Sequence, residues 1–232
     1  NGYIGKKIAN KLASLGVKII GTDLNFKKNK DLRMFLPANL EDRDDINQII
    51  RKINQKFKKI DILINNASYV GTSEANKRNF KKESYNEKYE KLNLNNTIYL
   101  TNCLLKNLKR SSSASIINIS SIYSFLGYDY KLYKDTSLKA PLAYGVSKAG
   151  LVQYTKMLSN ALAPKIRVNA ISPGGIFRSQ PKKFIKRYLD KTPLGRMGTE
   201  DDIANVVIFL SSNLSAYING QNLIVDGGYS NA

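Results

Sequence analysis

The sequence has no histidine, no tryptophan and a single cysteine, Cys103, in 232 residues. One cysteine excludes an intrachain disulfide framework. The absence of histidine removes the commonest metal ligand and the commonest general base, so zinc hydrolysis and serine–histidine triads are excluded as well. No apolar run approaches the roughly 20 residues that a membrane-spanning helix requires. Acidic residues are also scarce: 18 Asp and Glu stand against 37 Lys and Arg, a formal net charge of +19. Such a balance raises nucleic acid or an anionic surface as a partner. The bases are scattered, however, in pairs such as Lys27-Lys28, Lys58-Lys59, Lys81-Lys82, Lys109-Arg110 and Lys182-Lys183. No zinc-finger, KH or RRM signature accompanies them, so they read as solvated helix faces rather than a dedicated nucleic-acid site. What remains is 42% hydrophobic with a mean hydropathy of −0.34. That suits a globular cytoplasmic protein forming one domain over residues 1–232.

Apolar periodicity alternates between two kinds. Ile8, Leu12 and Leu15 follow a Gly2-Tyr3-Ile4-Gly5 turn at helical spacing, and Val17 to Gly21 is a short apolar run ending at Asp23. A helical pattern follows from Asp42 to Phe57, a second run at Ile60 to Ile64, a polar stretch from Ser73 to Glu87, and a long helical pattern through Leu92, Leu100, Leu104 and Leu108. Ser115 to Ile119 reads as a strand, Ala143 to Ala161 as a helix and Arg167 to Ile171 as a strand; a basic segment to Pro193, a helix from Thr199 to Leu210 and a strand at Asn222 to Val225 complete the series. Alternation of this kind predicts a three-layer, doubly wound parallel sheet, with ligands at the carboxyl ends of the strands. No strand precedes the glycine turn, so the chain is read as cut inside its first βα unit, the native protein extending upstream by a strand and a turn.

The residues with chemistry lie at those strand ends. Gly2-Tyr3-Ile4-Gly5 opening a helix is half of a dinucleotide-binding turn, or simply a tight turn. Asp23, about 20 residues on, is either an acceptor for the adenosine ribose or a turn aspartate. Tyr144-Gly-Val-Ser-Lys148 sets a phenol and an ammonium four residues apart on one helix face. A cation there is expected to pull the phenol toward neutrality, so that it exchanges protons with a carbonyl or alcohol oxygen.

With Asn65-Asn66-Ala67, Leu92-Asn93-Leu94, Asn118-Ile-Ser-Ser121, Arg167-Val-Asn-Ala-Ile-Ser-Pro-Gly174 and Gln221 to Gly228 in order around that pair, the chain resembles a classical short-chain dehydrogenase/reductase from Gly2 to Gly228. The resemblance implies a Rossmann fold and roles for named positions. Tyr144 is the acid/base; Lys148 lowers its pKa and binds the nicotinamide ribose; Ser121 bonds the substrate oxygen, with Ser120 its structural neighbour; and Asn93 holds a relay water. Gly2, Tyr3, Ile4, Gly5, Asp23, Asn39 and Leu40 would line the adenosine side with Asn65, Asn66, Ala67 and Ser68, and Pro173, Gly174 and Ile176 would pass the nicotinamide. Tyr123, Gly175 and Phe177 join Ser121 and Tyr144 toward substrate. NAD is the expected cofactor, favoured over NADP by Asp23, with Lys27 and Lys28 softening the choice. A homo-oligomer, tetramer or dimer, built on the helices around Leu92–Leu108 and Tyr144 is expected, with Cys103 a buried apolar residue.

The chain departs from the family pattern at Ser68, Asn39 and the glycine turn, and Arg178 stands where a Thr is usual, removing a hydroxyl and offering a cation. The interval from Ser121 to Tyr144 is long and carries Tyr128, Tyr130 and Tyr133. That loop resembles oxidoreductases of bacterial surface-sugar and flagellin-modification pathways, which implies a sugar or nucleotide-sugar substrate. A 3-oxoacyl or small-ketone reductase is the alternative among enzymes, and a non-catalytic nucleotide-binding module the alternative of another class.

Overall fold

The computed structural model describes residues 2–24, 31–70, 87–138 and 140–232. Lys27, Lys28, Lys81, Lys82 and the polar stretch from Ser73 as far as residue 86 lie outside them. In chain order the elements are α1 (Tyr3–Ser14), β1 (Ile19–Asp23), β2 (Leu32–Pro37), α2 (Arg43–Lys56), β3 (Ile62–Asn65), α3 (Glu87–Glu90), α4 (Asn96–Leu108), β4 (Ala114–Ile119), α5 (Tyr130–Tyr133), α6 (Leu142–Leu162), β5 (Ile166–Pro173), α7 (Lys182–Leu189), α8 (Glu200–Ser211) and β6 (Asn222–Val225). All strand pairings are parallel, in two hydrogen-bonded groups, β2–β1 and β3–β4–β5–β6.

The alternation along each strand decides which helices cover which face. Ala114 and Ile116 of β4, with Ile166 and Val168 of β5, pack against Ile46 and Ile50 of α2, Leu104 of α4 and Leu158 of α6. Ile117, Ile119 and Ile171 point the other way, against Ile8 and Leu12 of α1 and Ile203 and Val207 of α8. A strand covered on both faces has no polar side to show, and all six residues of β4 are buried. Each fully buried Ile contributes about 1.5–3 kcal/mol, so this central pair of strands anchors the loops that leave their carboxyl ends. Local signals set the helix ends: Asp42 accepts from the Asp44 amide at the start of α2, and Thr199 and Asp202 form a reciprocal capping box at the start of α8.

Four elements escape the sequence pattern. β2 carries an exposed Arg33 and ends at Pro37, a composition tolerated because the strand lies at the end of the order and has one partner. The basic segment contains α7, whose buried Phe184 and Tyr188 are masked in sequence by the exposed Lys182, Lys183 and Lys186. α5 is a single turn within the tyrosine loop, held by the Asp129 carboxylate at its start. The long helical pattern is interrupted by a π-helical segment, Lys91–Asn95, which turns Asn93 into the interior. Cys103, expected to be buried, is partly buried at the margin of the α2–α4–α6 core. Among the described residues no helix is long and apolar enough to cross a membrane.

Candidate active site

β4 ends at Ile119, and the two residues after it diverge in use. The Ser120 hydroxyl donates to the Lys148 carbonyl at 3.0 Å and its amide to the Ile171 carbonyl at 2.7 Å, stitching β4 to α6 and β5. Ser121 instead accepts from the Tyr123 amide at 3.3 Å and lies near enough to the phenol of Tyr144 to influence its ionisation. One turn further along α6, Lys148 is buried; its Nζ donates to the Ile119 carbonyl at 2.9 Å and stands 5.7 Å from the centroid of the Tyr144 ring.

Burial disfavours the charged form of both groups. It pulls the Lys148 ammonium down to about 7 from 10.5 and raises the Tyr144 phenol above its ordinary value, with the Ser121 hydroxyl the opposing influence. The expectation is that Lys148 draws the phenol toward neutrality; here burial is the larger influence on both groups, and the direction for Tyr144 is upward.

Asn93 is engaged on all four sides. Its Oδ1 accepts from the Tyr69 amide at 2.7 Å and the Ser68 hydroxyl at 3.1 Å; its Nδ2 donates to the Tyr69 carbonyl at 3.0 Å and to Ser147 Oγ at 3.2 Å. An amide has two donors and two lone pairs, so no capacity remains for water on the side chain, and a relay water at this position has only the main-chain carbonyl to donate to. Ser147 passes the link on to the Tyr144 carbonyl at 2.8 Å. Asn93 therefore straps the segment after β3 to the helix that carries Tyr144. Asn65 also turns inward: its Nδ2 donates to Thr101 and Asn118, and Asn118 in turn donates to Thr155, joining β3, α4, β4 and α6.

The residues expected around a dinucleotide line one continuous cavity of about 1330 Å³ that opens at the carboxyl ends of the strands and runs between β1 and β3 as far as their amino ends. Gly2 to Gly5 form its floor at the start of α1; Asp23, Asn39 and Leu40 lie on one wall; Asn66, Ala67 and Ser68 cross the middle; and Ser121, Tyr144, Lys148, Pro173, Gly174 and Ile176 stand at the other end. Part of the volume is a slot between β1 and β3, lined by Thr22 and Ile64. The fit to a dinucleotide is seen at the two glycines. A Cβ on Gly5 would stand 2.8 Å from Asn66 Nδ2, whereas Gly2 faces open space on the cleft side of the helix start. Asp23 serves its own turn by accepting from the Leu24 amide at 2.8 Å while lining the cleft. Asn39 accepts from the Glu41 amide and donates its own amide to Asp45, and Asn96 donates to the Leu40 carbonyl.

Three expected substrate residues do not border the cleft. Gly175 is pressed onto Tyr188, to whose hydroxyl its amide donates at 2.6 Å, Phe177 is exposed on the outer surface, and the Tyr123 hydroxyl is bonded to that of Tyr133 at 2.6 Å. Two of the three loop tyrosines are likewise used for packing, while Tyr130 stays exposed: Tyr128 lies 4.1 Å from Tyr123 between ring centroids and donates to the Pro141 carbonyl, and Tyr133 packs against Phe184 of α7. A ring so committed has little face left for a sugar. Tyr89, fully buried with its ring 6.3 Å from that of Tyr144, and Tyr188 are not visible in the sequence pattern, since isolated tyrosines carry no spacing signal.

The family model described as enoyl-(acyl carrier protein) reductase matches residues 2–230. A 3-oxoacyl-[acyl-carrier-protein] reductase of Buchnera aphidicola is 34% identical over 98% of this chain and 93% of its own length. A short-chain dehydrogenase of Leptospira borgpetersenii, solved with bound NAD+, superposes with a TM-score of 0.87 at 35% identity, covering 99% of this chain and 89% of the other. The aldohexose dehydrogenase of Thermoplasma acidophilum does so with a TM-score of 0.83 at 25% identity, covering 99% and 91%. With the phenol, hydroxyl and ammonium gathered on the wall of the cleft, the chain belongs to the classical short-chain dehydrogenase/reductase family and is an NAD(P)-dependent oxidoreductase acting on carbonyl and CH–OH groups.

Proposed function

We propose that this chain reduces the 3-oxo group of an acyl thioester to the 3-hydroxyacyl product, with cofactor and substrate sites in one domain. The observation that carries the reading is the placement of Tyr144, Ser121 and Lys148 together on the cleft wall. A phenol so placed can give a proton to a carbonyl oxygen as that carbonyl is reduced. The relatives named 3-oxoacyl reductases support that substrate class, while the packing of Tyr123, Tyr128 and Tyr133 on one another removes the main motive for a sugar.

The nicotinamide, when bound, supplies the hydride. Ser121 orients the substrate oxygen toward Tyr144, which donates the proton, and Lys148 stabilises the negative charge that forms on the phenolate. Asn93 keeps Ser68–Tyr69 and α6 in register, so the phenol does not drift from the serine. Asp23 would accept from a ribose 2′-hydroxyl and repel a 2′-phosphate, which favours NAD. The exposed Val146 and Met157 on α6 suit burial against a second copy of the chain.

The test is turnover of NADH and NADPH with acetoacetyl-coenzyme A, a panel of aldoses and a simple cyclic ketone. Thioester reduction at the highest kcat/KM, and with NADH over NADPH, is expected. Aldose turnover without thioester reduction would restore the sugar reading, and tight NADH binding without any turnover would indicate a nucleotide-binding module.

A further inference from the structure

Resting on the dinucleotide reading above, we propose that Arg178 is a phosphate-binding residue of the cofactor cleft, held in place by a stack on Tyr3 and an ion pair with Glu200. The guanidinium lies 4.4 Å above the centroid of the Tyr3 ring, and both residues line the cleft beside Gly2, Gly5 and Pro173. Arg178 thus reaches from the segment after β5 across to the first residue of α1. That is the turn whose backbone N–H groups have no partner within the helix and attract an anion.

Arginine binds in two ways at once: its face stacks on an aromatic ring while the donors on its edge remain in plane for an anion. Here the face is taken by Tyr3. Both hydrogen-bonded contacts of the guanidinium, to Glu200 at 2.7 Å and to the Phe177 carbonyl at 2.6 Å, pass through Nη1. Among the described residues Nη2 and Nε have no partner and remain as donors. The backbone is fixed too, because the Arg178 amide donates to Gln180 Oε1 at 2.7 Å and Gln180 Nε2 donates to the Ile176 carbonyl at 2.7 Å.

The neighbouring charges distinguish Arg178 from the other bases that pair with α8. The three acids that open α8 each hold a base: Glu200 takes Arg178, Asp201 takes Lys7 and Lys11, and Asp202 takes Arg196. Of these bases, only Arg178 lines the cleft. Asp201 and Asp202 thereby hold Lys7, Lys11 and Arg196 on the α8 side, and α1 has no acid in its first turn to compete with an incoming phosphate.

The experiment is direct binding of NADH, ADP-ribose and adenosine by calorimetry to the full chain and to Arg178→Thr, over a range of salt. Arg178→Thr is expected to weaken NADH and ADP-ribose by about tenfold to hundredfold, and to flatten their salt dependence. Adenosine, which has no phosphate, is expected to bind both proteins alike. Should Arg178→Thr fail to fold, Arg178→Gln keeps a planar stacking group without charge and is expected to show the same losses. Parent and variant binding ADP-ribose within twofold of each other, or a variant defect confined to the KM for substrate, would overturn the proposal. A parent that binds neither NADH nor ADP-ribose would instead overturn the dinucleotide reading on which it rests.

Discussion

Replacing Lys148 with Met should stabilise the protein below neutrality and lose that advantage as the pH rises. Lys148 is buried with its ammonium on the Ile119 carbonyl, and burial brings it from 10.5 down to about 7. Such a fall corresponds to about 5 kcal/mol of differential interaction against the charged form. The sign follows from proton counts. Between about 7 and 10.5 the unfolded chain carries the proton and the folded chain does not, so the parent gains stability as the pH rises through that window. Below it both states are protonated, and the folded state bears the full cost of a buried cation. Methionine fills nearly the same volume without charge, but it leaves the Ile119 carbonyl without its donor, at about 1–3 kcal/mol independent of pH. The stability difference between Lys148→Met and the parent should therefore narrow by about 1.4 kcal/mol per pH unit above neutrality. Urea unfolding of both proteins at several pH values measures it, since groups other than Lys148 cancel in the difference. Parallel stability curves would show that the ammonium is hydrated in the folded protein, and the reasoning from burial would fail.

Tyr144→Phe removes only the transferable proton, so turnover should fall by about a hundredfold or more while dinucleotide binding persists; steady-state kinetics beside calorimetry will check this, and activity within a few-fold of the parent would refute the role. Asn93→Ala strips four bonds and leaves the Tyr69 amide and carbonyl without partners, for a loss of about 2–4 kcal/mol by urea unfolding. Its kcat should fall through misplacement of Tyr144; an unchanged kcat would mean that the strap does not govern the site. Gly174→Ala places a Cβ 2.8 Å from both the Asp226 Cα and the Tyr188 hydroxyl, where backbone cannot give way cheaply; a cost of about 1–3 kcal/mol and weaker cofactor binding are expected, measured by thermal melts with and without NADH. Deleting Asp129 to Leu138 removes Leu132 and Tyr133 from the cluster with Phe184 and Tyr188. It should impair thioester and simple ketone alike, and a loss confined to one substrate would show that the loop reads substrate directly.

The sequence by itself determined the alternation of helix and strand, the β4–β5 core and the placing of Tyr144 and Lys148 on one helix face, because those signals are local. Ile116 and Ile117 point to opposite faces by the period of two, and a Tyr and a Lys four residues apart share a helix face wherever the helix packs. β2 and α7 were hidden because an edge position and a charged face dilute the apolar period. What only the tertiary structure decided depends on partners distant in the chain. Asn93 is filled by Tyr69 and Ser147, 24 and 54 residues away, Arg178 finds both Tyr3 and Glu200, and the loop tyrosines find one another and α7. The ionisation of the site belongs there as well. The Tyr144–Lys148 spacing alone implied a lowered phenol, but burial acts on both members of the pair, and desolvation is the largest influence on each.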